Sequence, residues 1–351
     1  MRSMKQATGG RSMWTRRTLL RSFVAGTGVG LCGALPELLA QSGAAAAPAA
    51  TGTRLTMLGT QGGPNPNLTR SQTANALVVD GQPYLVDCGY GTVRSLVQAG
   101  IPLASIRFIF LSHLHDDHTA DLAALLSLKW TGGNTNPSPV EVYGPYGTKA
   151  MVEGAIAFFR GNVDIRMVDE GRTVKPESLF TGHDLSAASV REFFKDARVT
   201  VKAVENNHFP DRAKAKMPYR SFAYRFDSAD KSFVFSGDTA YSPGVVELAR
   251  GADYLVCEAQ TLASRQQLAE ADGGLASGVE SINRHILETH VSTEDVGRMA
   301  TEAKVKTVVL YHLLPGANRG NAPDDTYISE VRKTFNGPII VGRDQLQVPQ
   351  N

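Results

Sequence analysis

Short apolar runs recur along the chain from about residue 52 onward, and each is a candidate β-strand. The predicted strands are Arg54–Leu58, Ala76–Val79, Tyr84–Cys88, Ile106–Leu111, Val140–Tyr143, Val199–Val204, Ser221–Arg225, Lys231–Ser236, Tyr254–Cys257 and Thr307–Tyr311. Helical patterning predicts helices over Thr92–Ala99, Ala120–Leu128, Gly147–Phe159 and Glu294–Ala303, with a weaker pattern around Ser186–Phe194. Turn formers fill Gly59–Pro66, whose glycines are predicted to let backbone pass close to a site.

One predicted strand runs directly into the segment Phe108-Ile-Phe-Leu-Ser-His-Leu-His-Asp-Asp-His118, in a chain that has only eight histidines. Alternate side chains of an extended strand share a face, so His113 and His115 point the same way. Asp117 and His118 follow where the chain turns into the next helix. Imidazole and carboxylate groups suit zinc and its first-row neighbours. The segment therefore predicts a metal site with room for two adjacent cations, rather than a polar loop that happens to be rich in histidine.

Three further strands end in a side chain that can bind a metal. Val199–Val204 leads to His208, Lys231–Ser236 leads to Asp238, and Thr307–Tyr311 leads to His312. A single histidine or aspartate at a strand end is usually structural. The repetition of the pattern predicts that these three side chains meet the 113–118 segment at one edge of the core.

The first residues of the chain predict an export signal. Thr15–Arg21 contains paired arginines, an apolar glycine-containing stretch follows, and small residues fill 42–50. This order is typical of a secretory signal peptide of the twin-arginine type. We interpret residues 1–47 as signal peptide and linker, and 52–351 as one hydrolase domain. The predicted partner is the twin-arginine export machinery, and the predicted location is the periplasm or outside the cell. The apolar stretch is too short for a stable membrane anchor.

The charge balance bears on the choice of partner, and the cysteine content bears on disulfide formation. Without residues 1–47 the chain holds 30 basic and 33 acidic side chains, a balance that disfavours nucleic acid as a partner. Cys88 and Cys257 remain after removal of the signal, and both lie in or beside apolar strands. Buried free thiols are the favoured interpretation, and a single disulfide stays open.

Together, the segment 113–118, His208, Asp238 and His312 resemble the ligand pattern of the metallo-β-lactamase superfamily. Four smaller motifs resemble the branch that contains ribonuclease Z and the metal-dependent arylsulfatases: Leu58-Gly-Thr-Gln-Gly-Gly-Pro64, Val86-Asp-Cys-Gly-Tyr-Gly-Thr92, Phe235-Ser-Gly-Asp-Thr239 and Thr289-His-Val-Ser-Thr-Glu294. The resemblance implies an α/β fold, the four-layer αββα sandwich, with two divalent metals at one edge. Zinc is the first expectation for these metals, and manganese or iron the alternatives.

The resemblance also implies roles for single residues. Metal 1 would be held by His113, His115 and His208, and metal 2 by Asp117, His118 and His312, with Asp238 bridging both. Two adjacent cations lower the pKa of a shared water from about 15.7 toward neutrality. Asp117 and His290 are the expected catalytic residues, with His290 protonating the leaving group. Asp87 is a candidate to orient a metal-bound histidine. His285 and His183 are assigned no chemistry.

These observations predict an exported hydrolase that cleaves a small anionic ester, either an aryl sulfate or a phosphodiester, with hydroxide supplied by the metals. A ribonuclease Z is one alternative. In their common bacterial form those enzymes carry a long tRNA-gripping arm between the positions matching His208 and Asp238, where only 29 residues stand here. A lactonase or β-lactamase is a second alternative, and a binding protein on a degenerate fold is a third. A homodimer stays open.

Loops are expected to set the specificity. The candidate walls are Phe209–Tyr219, which carries Arg212, Lys214 and Lys216, and Ser264–Ser281, which Gly273-Gly274 interrupts. Asn318 and Arg319 are candidates to receive an anionic group, and Phe209, Tyr219 and Tyr241 to contact an aromatic leaving group.

Overall fold

The computed structural model describes residues 51–132, 138–271, 277–314 and 321–349. The predicted signal peptide lies outside the described residues, as do Gly273, Gly274, Asn318 and Arg319. In the described part of the chain, no helix is both long and apolar enough to span a membrane.

The described chain contains fourteen strands. They are β1 (Thr53–Gly59), β2 (Ala74–Val79), β3 (Gln82–Val86), β4 (Phe108–Phe110), β5 (Val140–Pro145), β6 (Phe180–Leu185), β7 (Arg191–Lys195), β8 (Thr200–Glu205), β9 (Phe222–Asp227), β10 (Ser232–Phe235), β11 (Tyr254–Ala259), β12 (Thr307–Leu313), β13 (Ile339–Val341) and β14 (Gln347–Val348). They form two seven-stranded sheets. The first has the order β14-β1-β2-β3-β4-β5-β6, and the second the order β13-β12-β11-β10-β9-β8-β7.

Eleven α-helices are described with these strands. They are α1 (Thr92–Gln98), α2 (Asp116–Thr119), α3 (Leu122–Gly132), α4 (Thr148–Phe158), α5 (Arg160–Asp169), α6 (Asp211–Lys214), α7 (Pro243–Leu248), α8 (Leu262–Ala271), α9 (Ser277–Thr289), α10 (Thr293–Ala303) and α11 (Asp324–Arg332). Ser292 caps α10 by accepting a hydrogen bond from the backbone N–H of Asp295.

Three apolar layers hold the elements together. Between the sheets the core is aromatic, with Phe110 edge-on to Phe226 and Tyr224. On the outer face of the first sheet, Trp130 of α3 packs in a second core with residues of α1 and α4. On the outer face of the second sheet, Met299 of α10 packs in a third core with residues of α7 and α11. Helices therefore cover both outer faces, and the predicted αββα sandwich is confirmed.

Strand direction explains why polar residues collect at one edge of the second sheet. β9 pairs antiparallel with both β8 and β10, so β8 and β10 run the same way. β10, β11 and β12 pair in parallel. The carboxyl ends of β8, β10, β11 and β12 consequently meet at the same edge.

The predicted strands are found, mostly within two residues of their expected ends, but the helical pattern around Ser186–Phe194 was misleading. Arg191–Lys195 forms the edge strand β7, with a β-bulge between Glu192 and Phe194. The bulge lets the consecutive rings of Phe193 and Phe194 both pack on Phe110. Two adjacent inward-facing residues break the alternation by which a strand is recognised, and the prediction therefore failed here.

Candidate metal centre

The segment 113–118 forms one side of the site, directly after β4. His115 occupies the N-cap position of the short helix α2, and Asp117 and His118 lie in its single turn. His113, Asp117 and His118 are buried, and His115 is half-buried. A helix turn, and not a continuing strand, follows His115. This turn brings the side chains of Asp117 and His118 back toward His113.

The other side comes from strand ends of the second sheet, as predicted. His208 follows β8, Asp238 follows β10, and His312 lies near the end of β12, all three buried. His312 has a φ of 41°, an uncommon left-handed conformation for a side chain other than glycine. The glycine-rich loop after β1 approaches it closely, since a Cβ on Gly62 would lie 2.6 Å from His312 Nδ1. The prediction that these glycines admit backbone near the site is confirmed.

The converging side chains form two groups. In the three-histidine group (His113, His115, His208), His115 Nδ1 lies 2.9 Å from His113 Nε2 and 3.2 Å from His208 Nε2. In the four-residue group (Asp117, His118, Asp238, His312), the potential ligand atoms all lie within 4.8 Å of one another.

Asp238 lies between these two groups. Its Oδ1 is 3.2 Å from His118 Nε2, and its Oδ2 is 3.1 Å from His312 Nε2 and 3.8 Å from His113 Nε2. All seven predicted side chains are thus brought together. Their roles as metal ligands stay a prediction.

Hydrogen bonds fix which ring nitrogens face the centre. His118 Nδ1 lies 2.9 Å from the buried carboxylate of Asp87, which also accepts from the backbone N–H of Ser112. Asp87 therefore has the orienting position that the sequence suggested. His208 Nδ1 lies 3.3 Å from the carbonyl oxygen of Thr289. In both histidines a proton on Nδ1 leaves the Nε2 lone pair directed into the site.

This arrangement fits divalent cations. His118 Nε2 and Asp238 Oδ1 face each other, and in the described structure neither has a hydrogen-bond partner although both are buried. With the ring proton on Nδ1, these two atoms are both acceptors, and their contact is costly unless a cation, either a proton or a metal ion, lies between them. Ligand atoms about 2.1 Å from a tetrahedral zinc ion lie about 3.4 Å apart, close to the separation seen here.

The electrostatics of the two groups agree with this fit. Burial and the neighbouring imidazoles lower the pKa of His113 and of His208, which keeps both rings neutral, as metal ligands must be. Burial would also lower the pKa of His118 and His312, but the surrounding carboxylates, with Asp238 the strongest, together outweigh it and raise both pKa values. The negative charge that attracts protons to these two rings would equally attract a metal ion.

His290 lies beside the four-residue group, with a buried partner that sequence reasoning missed. Glu258 of β11 places its Oε2 2.7 Å from His290 Nδ1. Burial would lower the pKa of His290, but Glu258 outweighs it and raises the pKa. The ring is stacked on His312, with centroids 5.7 Å apart. Glu258 follows the apolar run Tyr254–Cys257, so the strand-end rule that indicated Asp238 could have found it.

The remaining predicted side chains are distributed differently. Phe209, Arg212 and Tyr219 line a cavity beside His115. Tyr241 lies outside that cavity, and its hydroxyl donates a hydrogen bond to the Glu302 carboxylate. Lys214 pairs with Glu205 and Asp211.

The other two histidines also differ. His285 faces the site, contrary to expectation, with its ring 5.4 Å from that of His208 and 6.0 Å from that of His115. His183 instead stacks on Tyr143. Cys88 and Cys257 are buried free thiols, which confirms the favoured interpretation.

The two-sheet sandwich, with its histidines and aspartates gathered at one rim, defines the metallo-β-lactamase fold. The family described as "Beta-lactamase superfamily domain" matches residues 83–313, and the chain belongs to this superfamily of hydrolases.

The chain is similar in sequence to named relatives and in fold to solved structures. A protein named ribonuclease Z from Mycobacterium sp. (strain KMS) is 30% identical over 270 residues, which cover 77% of this chain and 87% of the relative. The crystal structure of human tRNase Z, short form, has a TM-score of 0.55 at 21% identity, covering 84% of this chain and 98% of that one. Zn(2+)-bound PqqB from Methylobacterium extorquens has a TM-score of 0.55 at 16% identity, covering 85% of this chain and all of that one.

Proposed function

We propose that the protein is a dinuclear metal-dependent hydrolase that cleaves a small anionic ester, with a phosphodiester as the first candidate and an aryl sulfate as the second. The observation that carries the proposal is the buried contact between His118 Nε2 and Asp238 Oδ1, two acceptors that a cation would reconcile. We assign His113, His115 and His208 to metal 1 and Asp117, His118 and His312 to metal 2. Asp238 is assigned as the bridge between them, and zinc as the first expected metal.

When bound, two divalent cations would supply an activated water near neutral pH and offset negative charge on the ester. The chain's own residues hold this centre in shape. Asp87 fixes the orientation of the His118 ring, and Thr289 that of His208. Asp117 accepts a hydrogen bond from the backbone N–H of Gly63 at 3.0 Å, which holds its carboxylate toward His312. The catalytic role expected for Asp117 is therefore one of ligation and alignment.

Hydrolysis of a phosphodiester adds water across a P–O bond. The water oxygen bonds to phosphorus, the bond to the alcohol oxygen breaks, and that oxygen takes up a proton. We assign the proton donor as His290. Its Nδ1 is held by Glu258, which leaves Nε2 as the nitrogen that can transfer a proton, and a nearby carboxylate favours the protonated ring at the start of the step.

The stretch of chain between His208 and Asp238 favours a small substrate over a large one. The structure describes every residue of this stretch. α6, β9 and β10 occupy this stretch, and residues between them form short connections. The segment offers no extension with which to grip a folded RNA. The excess of acidic over basic residues outside 1–47 points the same way.

A ribonuclease Z-type endonuclease is the second candidate function, because a relative with that name is 30% identical over most of both chains. Ribonuclease action is itself phosphodiester hydrolysis, so both candidates use the same centre and differ in the size of the substrate. A lactonase is disfavoured by the His290–Glu258 pair, since opening a ring needs less assistance for the departing alcohol.

A substrate panel tests the proposal. Bis-p-nitrophenyl phosphate, p-nitrophenyl sulfate, a lactone and a precursor tRNA would each be assayed with zinc, manganese and iron. We expect turnover of the chromogenic phosphodiester or sulfate without processing of the tRNA. Turnover of the lactone alone would overturn the proposal, and efficient cleavage of precursor tRNA at its 3′ end would favour the endonuclease.

We further propose that the protein is exported through the twin-arginine machinery, on the basis of Arg16 and Arg17 before an apolar stretch. The test is the location of the full chain in a bacterium that has this machinery. Replacement of both arginines by lysine should retain the protein in the cytoplasm, while replacement of Arg2 and Lys5 should not. Unchanged export of the Arg16→Lys, Arg17→Lys variant would contradict the proposal.

A further inference from the structure

A cavity of about 860 Å³ opens beside the three-histidine group. It lies between α4 and the segment 209–219, and His115 forms part of its inner wall. The Phe209 ring bridges the two regions, with its centroid 5.6 Å from that of His115 and 6.1 Å from that of His113. Any ester held at the metals would therefore direct one of its substituents toward this space.

The walls of the cavity are mainly apolar. Leu114 and Met151 line one side, and Phe209, Met217 and Tyr219 line the other. Tyr219 is 44% exposed, so part of its ring is accessible from the cavity. Aromatic rings stack on other rings in offset or edge-on geometry, and methionine adapts its shape to irregular apolar groups.

Charge in the cavity is already compensated. Arg212 is its one formally charged lining residue, and its guanidinium pairs with Glu288. A phosphate-rich chain would find no free cation among these lining residues, whereas an uncharged apolar group would lose water on entering.

We propose that this cavity is a subsite for a large apolar substituent of the ester, of the size of a fused aromatic ring. The inference rests on the proposed function for the position of the ester itself. The cavity volume falls within the range of about 300–1,000 Å³ that is usual for small-molecule pockets, and its lining is the apolar type that such pockets use. His285 lies where the subsite meets the metal centre and is its polar end.

Gly154 offers a direct way to fill the subsite. It lies on α4 and lines the cavity, and a Cβ placed on it would have no heavy atom within 4 Å. Gly154→Phe can therefore enter the cavity without a backbone clash. Gly161→Phe is the matched control, since Gly161 lies on α5, has equally open surroundings and is not a lining residue of this cavity. Replacing a helical glycine should not destabilise either variant.

Two phosphodiesters with the same leaving group test the subsite: 1-naphthyl p-nitrophenyl phosphate and methyl p-nitrophenyl phosphate. For the full chain we expect a higher kcat/KM for the naphthyl ester. Gly154→Phe should lower kcat/KM for this ester by about tenfold or more and leave the methyl ester within about twofold, while Gly161→Phe should alter neither. An equal effect of Gly154→Phe on both esters, or no effect on either, would overturn the subsite.

Binding to the metal-free full chain separates this inference from the proposed function. The probe is 1-naphthyl methylphosphonate, followed by its fluorescence. Binding that Gly154→Phe weakens about tenfold, in a protein that hydrolyses no ester, would support the subsite and reject the hydrolase. Hydrolysis of both esters with no naphthyl preference and no such change in probe binding would reject the subsite and leave the hydrolase intact.

Discussion

The first sheet supplies four of the seven converging side chains from one short segment, residues 113–118, whereas the second sheet supplies one side chain from each of three strands. The first contribution depends on local structure, namely the turn of α2 and the hydrogen bond that His118 donates to Asp87. The second depends on strand register, because β8, β10 and β12 must end at the same edge. The site therefore combines a local sequence motif with side chains that only the tertiary fold brings together.

The largest expected effect comes from the second sheet, through Asp238. Asp238→Asn keeps the shape of the side chain but removes the charge that lies between both groups. We expect loss of one or both metals and a fall in kcat/KM of about 10⁴-fold, equivalent to about 5.5 kcal/mol of transition-state stabilisation. Activity on bis-p-nitrophenyl phosphate and metal content of the purified protein measure this.

Asp227→Asn is the control for that change, because Asp227 ends β9 at the opposite edge and pairs with Arg225. It should retain both metals and most of the activity. If Asp238→Asn kept two metals and near-normal activity, the second sheet would not contribute to the centre as proposed.

The next largest effect on activity is expected from the pair formed by His290 and Glu258, which lies beside the four-residue group. His290→Ala should lower turnover by about 10²-fold for an ester with an alkyl leaving group, and much less for one that releases p-nitrophenolate, which departs without a proton. Glu258→Gln should show the same dependence on the leaving group with a smaller loss, since the ring remains. The measurement is kcat across a series of leaving groups. A uniform loss over the series would show that His290 does not protonate the departing oxygen.

The same contrast between sheets explains what the sequence could predict. The metal-binding character of segment 113–118 could be predicted because its residues are adjacent in the sequence. His208, Asp238 and His312 could be predicted because each follows an apolar run. The position of His285 could not be predicted, because it depends on how α9 lies against His208 in the folded chain, which no local pattern encodes. β7 was misassigned because a bulge places Phe193 and Phe194 in one core, where both rings pack on Phe110 of the opposite sheet.

A smaller effect is expected on the first-sheet side, from Asp87. Asp87→Asn removes the carboxylate that fixes the ring of His118, and loss of such a partner weakens metal affinity by between about 10- and 100-fold. Competition with a chelator gives the affinity. Asp121→Asn is the control, since Asp121 accepts from the backbone N–H groups of Gly91 and Val93 at the start of α1 and does not contact a proposed ligand. Equal affinities for the Asp87 variant and the native protein would remove its orienting role.

The smallest effect is expected at the end of the sandwich opposite the metals, where Asp230 of the second sheet accepts hydrogen bonds from Thr53 of the first. Partial burial would raise the pKa of Asp230, but the hydrogen bonds from Lys231 and Thr53 outweigh it and lower the pKa. A carboxylate with a lowered pKa stabilises the fold above its unfolded pKa of about 3.9, and that stability is lost as the pH falls further. Asp230→Asn should therefore reduce the free energy of unfolding by no more than about 1 kcal/mol at pH 7, because the site is partly exposed.

Urea unfolding of the two proteins between pH 7 and pH 3 measures this difference. The gap between native protein and variant should begin to narrow below about pH 4, where Asp230 becomes protonated in the unfolded chain, and should shrink further as the pH falls. Asp211→Asn, at an exposed ion pair with Lys214, should show no gap at any pH. A gap for Asp230→Asn that stayed constant with pH would mean that the contact between the sheets depends on the shape of the side chain rather than its charge.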